Sequence, residues 1–497
     1  MKKLTALLLC LLLTLGCLSL SALAEDAPAP EGTPITDVYG LMEIEEDGTY
    51  YLANDILISG DYESPVDFAG TLDGQGHTIV LSNAEISGGL FNHLKGATIK
   101  NLNIVEGEEP NSLMMKPASN GTDYLAGALA DCGYGTIGNV TVDVNIDVSV
   151  LGMATAGGVI GAMQDGALTL VNCVNAGNVS AGRYGGGLVG LALNAVTFNL
   201  TVEQCVNYGT ITGKYSAGGI VGQNNGNSLG VAIRRCVNYG DVSNSSGNQA
   251  GGILAFGKPA SSGGIIELSN NINYGYIHNT NIEADNCQIA GIFTRMNCGG
   301  GTLILKGNVN YNALELQDGY TAQVVFGILS VATGGLQKGN CEIENNYSVP
   351  VKPIDGTTAP EAVGDAALLD DTTFASLNEK YAEVYVEQEG QIALSWMQKA
   401  GLGKEAPVIE YDVEGQEEIK EPEVTTDPPS TTEEPEPSDE ESQEESSEPE
   451  QTTAPAGGED GGCASSIGAV SAIAMVGLVS IIGVALKKRK NNIDKLI

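Results

Sequence analysis

Short apolar runs alternate with Gly and Asn along most of this chain, and the alternation becomes a regular repeat between Ala156 and Gly257. Two motifs recur there. The segments 186–190 and 218–222 read Gly-Gly-Leu-Val-Gly and Gly-Gly-Ile-Val-Gly, and each is followed by Cys-Val-Asn-Tyr-Gly, at 205–209 and 236–240. A fixed period of about 30 residues is the sequence signature of a repeat architecture.

Each repeat predicts β-structure. Its apolar runs are rich in Val, Ile, Leu and Thr, they are short, and no apolar stripe with a 3.6-residue period persists long enough for a helix. Three short strands and three turns fit into one repeat, and such a unit cannot bury its apolar side unless it stacks on its neighbours. The pattern therefore predicts an all-β parallel solenoid in which like residues form columns, about nine coils in all.

Two of these columns can be aligned from the sequence. Asn tolerates left-handed backbone at turns, and stacked amides can hydrogen-bond from one coil to the next, so we predict a structural asparagine ladder. Its members are Asn175, Asn207, Asn238, Asn273 and Asn310. Two residues before the first three stand Cys173, Cys205 and Cys236, and beside four of them stand Tyr208, Tyr239, Tyr274 and Tyr311.

At these residues the chain resembles the GLUG-type repeats of bacterial cell-surface proteins. The resemblance covers roughly residues 40–350. It implies a right-handed parallel β-helix of the pectin-lyase-like kind and places the chain among adhesin-like and protease-associated surface proteins. The repeat itself carries no catalytic motif.

The two ends of the chain predict export and anchoring. Residues 1–24 have the basic start, apolar run and Ala-Leu-Ala ending of a signal peptide. Residues 463–486 are uncharged and helix-length, and the basic tail 487–497 follows, which predicts a single transmembrane helix with the C-terminus inside. We expect a cell-membrane protein with an extracellular head; cleavage near 461–463 stays open.

Between these ends we predict three units. Residues 25–359 form the β-helix. Residues 360–412 form a small α/β cap that covers its C-terminal end, because an open solenoid end exposes strand edges and apolar surface. Residues 413–462, rich in Glu, Pro, Ser and Thr, form a disordered acidic stalk.

The net charge limits which binding partners are expected, and the cysteine and histidine pattern limits the expected disulfides and metal sites. The formal net charge of −39 disfavours nucleic acid and anionic membrane surfaces. Because the three repeat cysteines align with Leu102 and Val140, we interpret them as buried free thiols, with a disulfide elsewhere, such as Cys287 with Cys298, as the alternative. We expect no metal and no cofactor, since neither a Cys-x-x-Cys motif nor a histidine cluster is present.

No acid/base constellation stands out in the sequence. His77 lies alone beside a Gly turn, and Asp131, Asp165 and Asp241 do not share a column. We therefore expect a binding module for adhesion to a glycan or host surface rather than an enzyme. A polysaccharide lyase or glycoside hydrolase and a passive surface element are the alternatives, and the oligomeric state stays open.

The tyrosine row is the predicted ligand-facing column, because stacked aromatic rings suit sugar rings. A purely structural aromatic stack beside the asparagine ladder is the competing interpretation.

Overall fold

The computed structural model describes residues 29–419, apart from 87, 110–111, 114–123, 194–198, 229, 247, 260–262, 282–287, 298–300, 313–323, 334–340 and 350–365. The predicted signal peptide, transmembrane helix and tail, and all but the first residues of the predicted stalk, lie outside this part of the chain. Within residues 29–419 as described, no helix has the length and apolar character needed to cross a bilayer.

The first coils are built from eleven strands and one short helix. Helix α1 is Val38–Met42. The strands are β1 (Thr33–Ile35), β2 (Thr49–Leu52), β3 (Ile56–Tyr62), β4 (Asp67–Phe68), β5 (Thr71–Asp73), β6 (Thr78–Ile86), β7 (Phe91–Glu106), β8 (Ser112–Leu113), β9 (Tyr124–Gly127), β10 (Ala130–Asp143) and β11 (Ile146–Val148).

The recurring motifs build the coils that follow. Their strands are β12 (Ala154–Gly157), β13 (Ile160–Val171), β14 (Val174–Asn175), β15 (Val179–Ala181), β16 (Tyr184–Gly186), β17 (Val189–Ala192), β18 (Asn199–Glu203), β19 (Val206–Asn207), β20 (Ile211–Gly213), β21 (Ser216–Gly218), β22 (Val221–Ser228), β23 (Gly230–Arg234), β24 (Val237–Asn238), β25 (Val242–Asn244), β26 (Gln249–Gly251), β27 (Leu254–Pro259), β28 (Ile265–Ser269), β29 (Ile272–Asn273) and β30 (Ile277–Asn279).

The last coils and the chain beyond them complete the elements. The strands are β31 (Gln288–Ala290), β32 (Phe293–Asn297), β33 (Thr302–Lys306), β34 (Val309–Asn310), β35 (Val324–Phe326), β36 (Leu329–Thr333), β37 (Cys341–Glu344), β38 (Asn346–Ser348), β39 (Ala366–Leu368), β40 (Tyr385–Gln388) and β41 (Gln391–Leu394). Helices α2 (Thr373–Lys380) and α3 (Ser395–Lys399) flank the last two strands.

Every described pairing in the solenoid is parallel, as stacking of one coil on the next requires. One side is a five-strand sheet of β11, β15, β20, β25 and β30, and a second is a seven-strand sheet of β9, β12, β16, β21, β26, β31 and β35. The remaining solenoid strands form one large sheet that bends around the other sides. The parallel β-helix expected from the repeats is confirmed.

The coils stack in register over a longer distance than the sequence predicted. One column passes through eleven coils, whereas about nine were expected, because the coils before Ala97 lack the recognisable motifs. Its members are Thr33, Tyr50, Leu72, Ile99, Ile137, Leu170, Val202, Ile233, Leu268, Leu305 and Ile343. At roughly 4.8 Å per coil, ten spacings give a stack about 48 Å long.

The two repeat motifs meet across the solenoid interior. A Cβ added to Gly219 would lie 2.4 Å from Cγ of Asn238 and 2.1 Å from the carbonyl oxygen of Gly252. The same holds one coil earlier, where a Cβ on Gly187 would lie 2.6 Å from Cγ of Asn207. Each Gly-Gly corner therefore packs directly on the asparagine of its own coil, which explains why the two motifs occur together.

The segment beyond the solenoid, residues 369–419, lies in a different place from the predicted cap. It packs along the flank of the solenoid, where Leu377, Tyr385, Leu394 and Met397 bury their side chains against the valine and isoleucine column Val206, Val237, Ile272 and Val309. We call it the C-terminal segment. Of the predicted cap, residues 360–412, strand β39 extends the sheet at the C-terminal end by pairing in parallel with β38, whereas the apolar side chains from residue 369 onward contact the flank.

Local structure in the C-terminal segment largely follows its sequence. Its sequence predicts a helix over Phe374–Tyr381 and strands at Val384–Val386 and Ile392–Trp396. The helix is found at Thr373–Lys380, and both strands form, paired as an antiparallel hairpin. The second strand stops at Leu394, and Trp396 belongs to α3 instead. Its indole Nε1 donates to the carbonyl of Arg235, 2.9 Å away, which fixes α3 on the solenoid.

The chain then returns to the first coils. The backbone N–H of Leu57 donates to Gln416 Oε1 at 2.8 Å, and the N–H of Ile419 donates to the carbonyl of Ser59 at 2.8 Å. Residues 413–419, predicted as the start of the stalk, are therefore docked on β3. The described chain leaves the solenoid at the end formed by its first coils.

Candidate ligand-binding groove

The tyrosine row, predicted to face a ligand, is covered by the C-terminal segment. Its rings stack with centroids 4.8–5.2 Å apart. The Tyr208 hydroxyl donates to the Gly403 carbonyl at 2.8 Å, the Tyr274 hydroxyl donates to the Ile392 carbonyl, and the Ile392 N–H donates to the Tyr311 hydroxyl at 2.6 Å. Three of the four hydroxyls are thus bonded to the C-terminal segment, which favours the structural interpretation of the row over the ligand-facing one.

Burial changes the acidity of these phenols. It raises the pKa of Tyr239 to about 12, and it raises the pKa values of Tyr208 and Tyr274 further. All of the row's hydroxyls are therefore protonated at neutral pH and available as donors. The row is a neutral, apolar docking surface for the C-terminal segment.

The asparagine ladder lies inside the solenoid. Nδ2 of Asn175 donates to Oδ1 of Asn207, Asn207 to Asn238, and Asn238 to Asn273, each at 2.8 Å, and Asn273 donates to Asn310 at 3.0 Å. All five side chains are fully buried. Each also donates to a nearby carbonyl two residues on, so the amides close the turn of their own coil as well.

The aligned cysteines occupy the interior as free thiols. Cys173, Cys205 and Cys236 are unpaired and fully buried, and burial raises the pKa of the Cys205 thiol. Cys132, in contrast, is disulfide-bonded. The predicted alternative pair, Cys287 with Cys298, lies outside the described residues.

The three aspartates singled out in the sequence make separate contacts. Asp131 accepts a hydrogen bond from the Gly89 N–H, and Asp241 accepts one from the Tyr276 N–H. Asp165 is exposed at a left-handed turn position. Two adjacent arginines on the solenoid form ion pairs, Arg234 with Glu267 and Arg235 with Glu203. None of these carboxylates forms a catalytic pair with another in the described chain.

The two histidines of the first coils form carboxylate pairs. Nδ1 of His77 lies 3.2 Å from Asp55, whose other oxygen accepts the Asp412 N–H at 2.7 Å. His77 therefore belongs to the junction with the C-terminal segment. His93 Nδ1 lies 3.2 Å from Asp67, and burial lowers the pKa of His93. Across the described residues, no group of three or more His, Cys, Asp or Glu could hold a metal ion.

A groove runs along the opposite corner, where two columns of side chains face each other. The column on the seven-strand sheet is Leu125, Thr155, Tyr184, Ser216, Gln249 and Gln288. The column on the large sheet is Cys132, Ala162, Leu191, Gln223, Phe256 and Arg295. The tight Gly-Gly corner separates the two within each coil.

The lining of the groove changes along its length. In the earlier coils Leu125, Ala162, Tyr184 and Leu191 form an apolar cluster separate from the main core. In the later coils the groove opens into a pocket of about 300 Å³. Its lining residues are Tyr184, Tyr215, Ser216, Gln223, Asn248, Gln249, Phe256 and Arg295.

Amide groups converge in the pocket. The Ser216 hydroxyl lies 3.0 Å from Oε1 of Gln223 and 3.2 Å from Oε1 of Gln249. A hydroxyl has one proton, so it can serve only one of these two carbonyl oxygens at a time. The other oxygen is available to a donor from a ligand.

Aromatic rings and cations adjoin these amides. The Arg295 guanidinium lies over the Phe256 ring at 5.9 Å and the Lys214 ammonium over the Tyr215 ring at 5.8 Å. Tyr215 is 41% exposed, an unusual exposure for an aromatic side chain in this solenoid. Flat rings beside amides and charged donors form a surface that can stack on a ring and hydrogen-bond its hydroxyls.

Sequence reasoning missed this groove, although a signal was present. Its residues occupy the two positions that flank the Gly-Gly motif, seven residues apart, as in Ser216 with Gln223 and Gln249 with Phe256. These positions vary between coils while the motif between them is kept. The residues that recur in every coil favoured the tyrosine row as the ligand site instead.

Comparisons with known proteins assign no family. No family model matches the chain, and no curated protein matches it. Among solved structures it is similar to a proposed immunoglobulin A1 protease from Bacteroides ovatus, with 14% identity and a TM-score of 0.37, over 74% of this chain and 94% of that one. A likeness this remote carries no argument about what the chain does.

Proposed function

We propose that this protein is a bacterial surface protein that binds an extended glycan along the groove without cleaving it. The observation that carries the proposal is the pocket in which Tyr215 and Phe256 lie beside the amides of Gln223 and Gln249. Sugar rings offer an apolar face and many hydroxyls, and this lining complements both.

The direction of the groove suits a polymer. Successive coils place Leu191, Gln223, Phe256 and Arg295 in one row parallel to the solenoid axis. Three spacings at roughly 4.8 Å make this row about 14 Å long, so one chain can contact several coils. Weak contacts along a linked ligand then add to a useful affinity.

The chemistry of the pocket favours binding over cleavage. Glycoside hydrolysis needs two carboxyl groups that flank the scissile bond. The residues that line the described pocket are aromatic, amide, hydroxyl and guanidinium groups, and none of them is a carboxylate or an imidazole. A lining of this kind can orient a sugar but lacks the pair of carboxyl groups that glycoside hydrolysis needs.

Display at the cell surface is part of the same proposal. The signal peptide and the transmembrane helix predicted from the sequence would export the head and hold its C-terminus at the membrane. The described chain leaves the solenoid beside Ser59, in the first coils. With that end towards the membrane, the pocket at Phe256 and Arg295 would face outward, away from the cell.

Binding can be tested with the purified full-length protein in detergent micelles and a panel of immobilised polysaccharides of neutral and acidic sugars. We expect retention on at least one polymer without release of soluble fragments. Phe256→Ala should weaken that binding at least tenfold, about 1.4 kcal/mol, because a stacking ring is lost.

The matched control is Tyr411→Ala, which removes an exposed aromatic outside the groove. It should bind like the wild type. Equal binding by the folded Phe256→Ala variant would show that the ligand does not bind in the groove. Steady release of sugar fragments by the wild type would show that the protein is an enzyme.

A further inference from the structure

Two cations at the groove, Arg295 and Lys214, form no ion pair with a carboxylate among the described residues. Five basic side chains elsewhere on the described solenoid are matched to carboxylates. The pairs are Lys95 with Asp67, Lys100 with Asp73, Arg234 with Glu267, Arg235 with Glu203 and Lys306 with Glu342. In the described chain neither Arg295 nor Lys214 has a carboxylate within ion-pair distance.

Arg295 also lacks a hydrogen-bond acceptor, among the described residues, for one of its side-chain N–H groups. Its Nε is buried and has no hydrogen-bond partner in the described protein. A buried donor without a partner loses its hydration and gains nothing in return, and the cost is larger for a charged group. The Phe256 ring, whose centroid lies 5.9 Å from the guanidinium carbon, supplies no hydrogen-bond acceptor for this N–H. The side chain is therefore arranged for an acceptor that comes from outside the protein.

The facing residue of the same coil offers the complementary group. Gln288 stands opposite Arg295, as Ser216 stands opposite Gln223, and its Oε1 is likewise buried without a partner. One coil thus presents a forked donor and an acceptor. A sugar that carries both a carboxylate and hydroxyls satisfies the two together, because guanidinium and carboxylate match in a planar, bidentate geometry.

We propose that the groove selects an acidic polysaccharide and that Arg295 binds the carboxylate of one of its sugar acids, with Gln288 accepting from a hydroxyl. This inference rests on the glycan-binding function proposed above and names its substrate class. The lining of the pocket contains no carboxylate, so a cation there acts in a partly desolvated site where its field is little opposed. The acidic remainder of the protein disfavours the denser charge of a nucleic acid.

The test compares alginate, a polyuronate, with the same alginate after chemical reduction of its carboxyl groups, using the full-length protein in detergent micelles. We expect the wild type to bind alginate at least tenfold more tightly than the reduced polymer and to weaken as salt is raised. Arg295→Gln should lose that preference, and Arg295→Lys should keep part of it, since lysine retains charge without the fork.

Arg234→Gln is the matched control, because it removes a guanidinium that is paired with Glu267 and lies outside the groove. It should keep the preference for alginate. Thermal melts of all variants must match the wild type, which separates loss of binding from loss of folding. Dextran sulfate and polysialic acid extend the comparison to sulfate and to a second carboxylate sugar.

The outcomes separate the two proposals. Equal binding to alginate and to the reduced polymer, with no effect of Arg295→Gln, would overturn the acidic-sugar inference and leave glycan binding standing. Retention on dextran sulfate alone would overturn the carboxylate assignment. No retention on any polymer, acidic or neutral, would remove the proposed function itself. A preference for alginate or polysialic acid that disappears with Arg295→Gln supports the inference.

Discussion

Asn207→Leu should lower the free energy of unfolding by roughly 3 kcal/mol or more. Nδ2 of Asn207 donates to Oδ1 of Asn238 and to the carbonyl of Gly209, both at 2.8 Å. Leucine has nearly the same shape but no donor, so two buried acceptors lose their partner at about 1–3 kcal/mol each. Asn207 has no exposed surface, so bulk solvent cannot replace the bonds that are lost.

A second asparagine of the same coil provides the control. Asn178 also bonds to the preceding coil, with Nδ2 2.9 Å from Oδ1 of Asn145, but it is exposed, and water can replace its bonds. Asn178→Leu should therefore stay within about 0.5 kcal/mol of the wild type. Chemical denaturation measures both. Equal losses for the two variants would show that burial of the amide ladder is not what stabilises the solenoid.

The double variant Tyr239→Ser, Tyr274→Ser should release the C-terminal segment from the flank. It removes all three stacked contacts of the row and the hydrogen bond from Tyr274 to Ile392. Losing two half-buried rings and their stacking should cost about 4 kcal/mol of docking free energy. The coils themselves should persist, because their core and their asparagine ladder are untouched.

Hydrogen exchange reports this release. Amides of the hairpin, Tyr385–Leu394, should exchange roughly a thousandfold faster in the double variant, the factor that 4 kcal/mol implies, while amides of Val206 and Val237 stay protected. Tyr215→Ser, which removes an exposed tyrosine of the groove, should leave hairpin exchange unchanged. Unchanged exchange in the double variant would mean that the row does not hold the C-terminal segment.

Much of the solenoid was predictable because each coil must satisfy the same packing and hydrogen-bond requirements. The Gly-Gly corner must approach the next backbone closely, and the asparagine two residues after the cysteine must bond to its own turn and to the next coil. Both requirements act on positions a fixed distance apart, so they leave a period in the sequence. Alignment of that period placed Asn207 on Asn238 and Cys173 beside Cys205 correctly.

The position of the C-terminal segment could not be predicted in this way. Its contacts join residues far apart in sequence, such as Tyr208 and Gly403, and they involve a single segment rather than a repeat. An outward-facing tyrosine has the same sequence pattern whether a ligand or another segment of the chain covers its ring. Only the three-dimensional position of Ile392 and Gly403 distinguishes the two.

The groove was hidden for a related reason. Its residues are the ones that differ from coil to coil, as Tyr184, Ser216 and Gln249 do at one position beside the motif. A repeat keeps what the fold requires, and it leaves free the positions that a ligand would select. Variable outward positions next to a fixed motif are therefore a place to look for function in such chains.

The most direct test of the central claim is a hydrogen-exchange footprint of the full-length protein with the polysaccharide that it retains most tightly. The groove account predicts slower exchange at residues 216–223, 249–256 and 288–295 when the polymer is bound, and no change at the tyrosine row or the hairpin of β40 and β41. Protection confined to that row and hairpin, with exchange in the groove unchanged, would contradict the groove account and would show that the ligand binds on the flank.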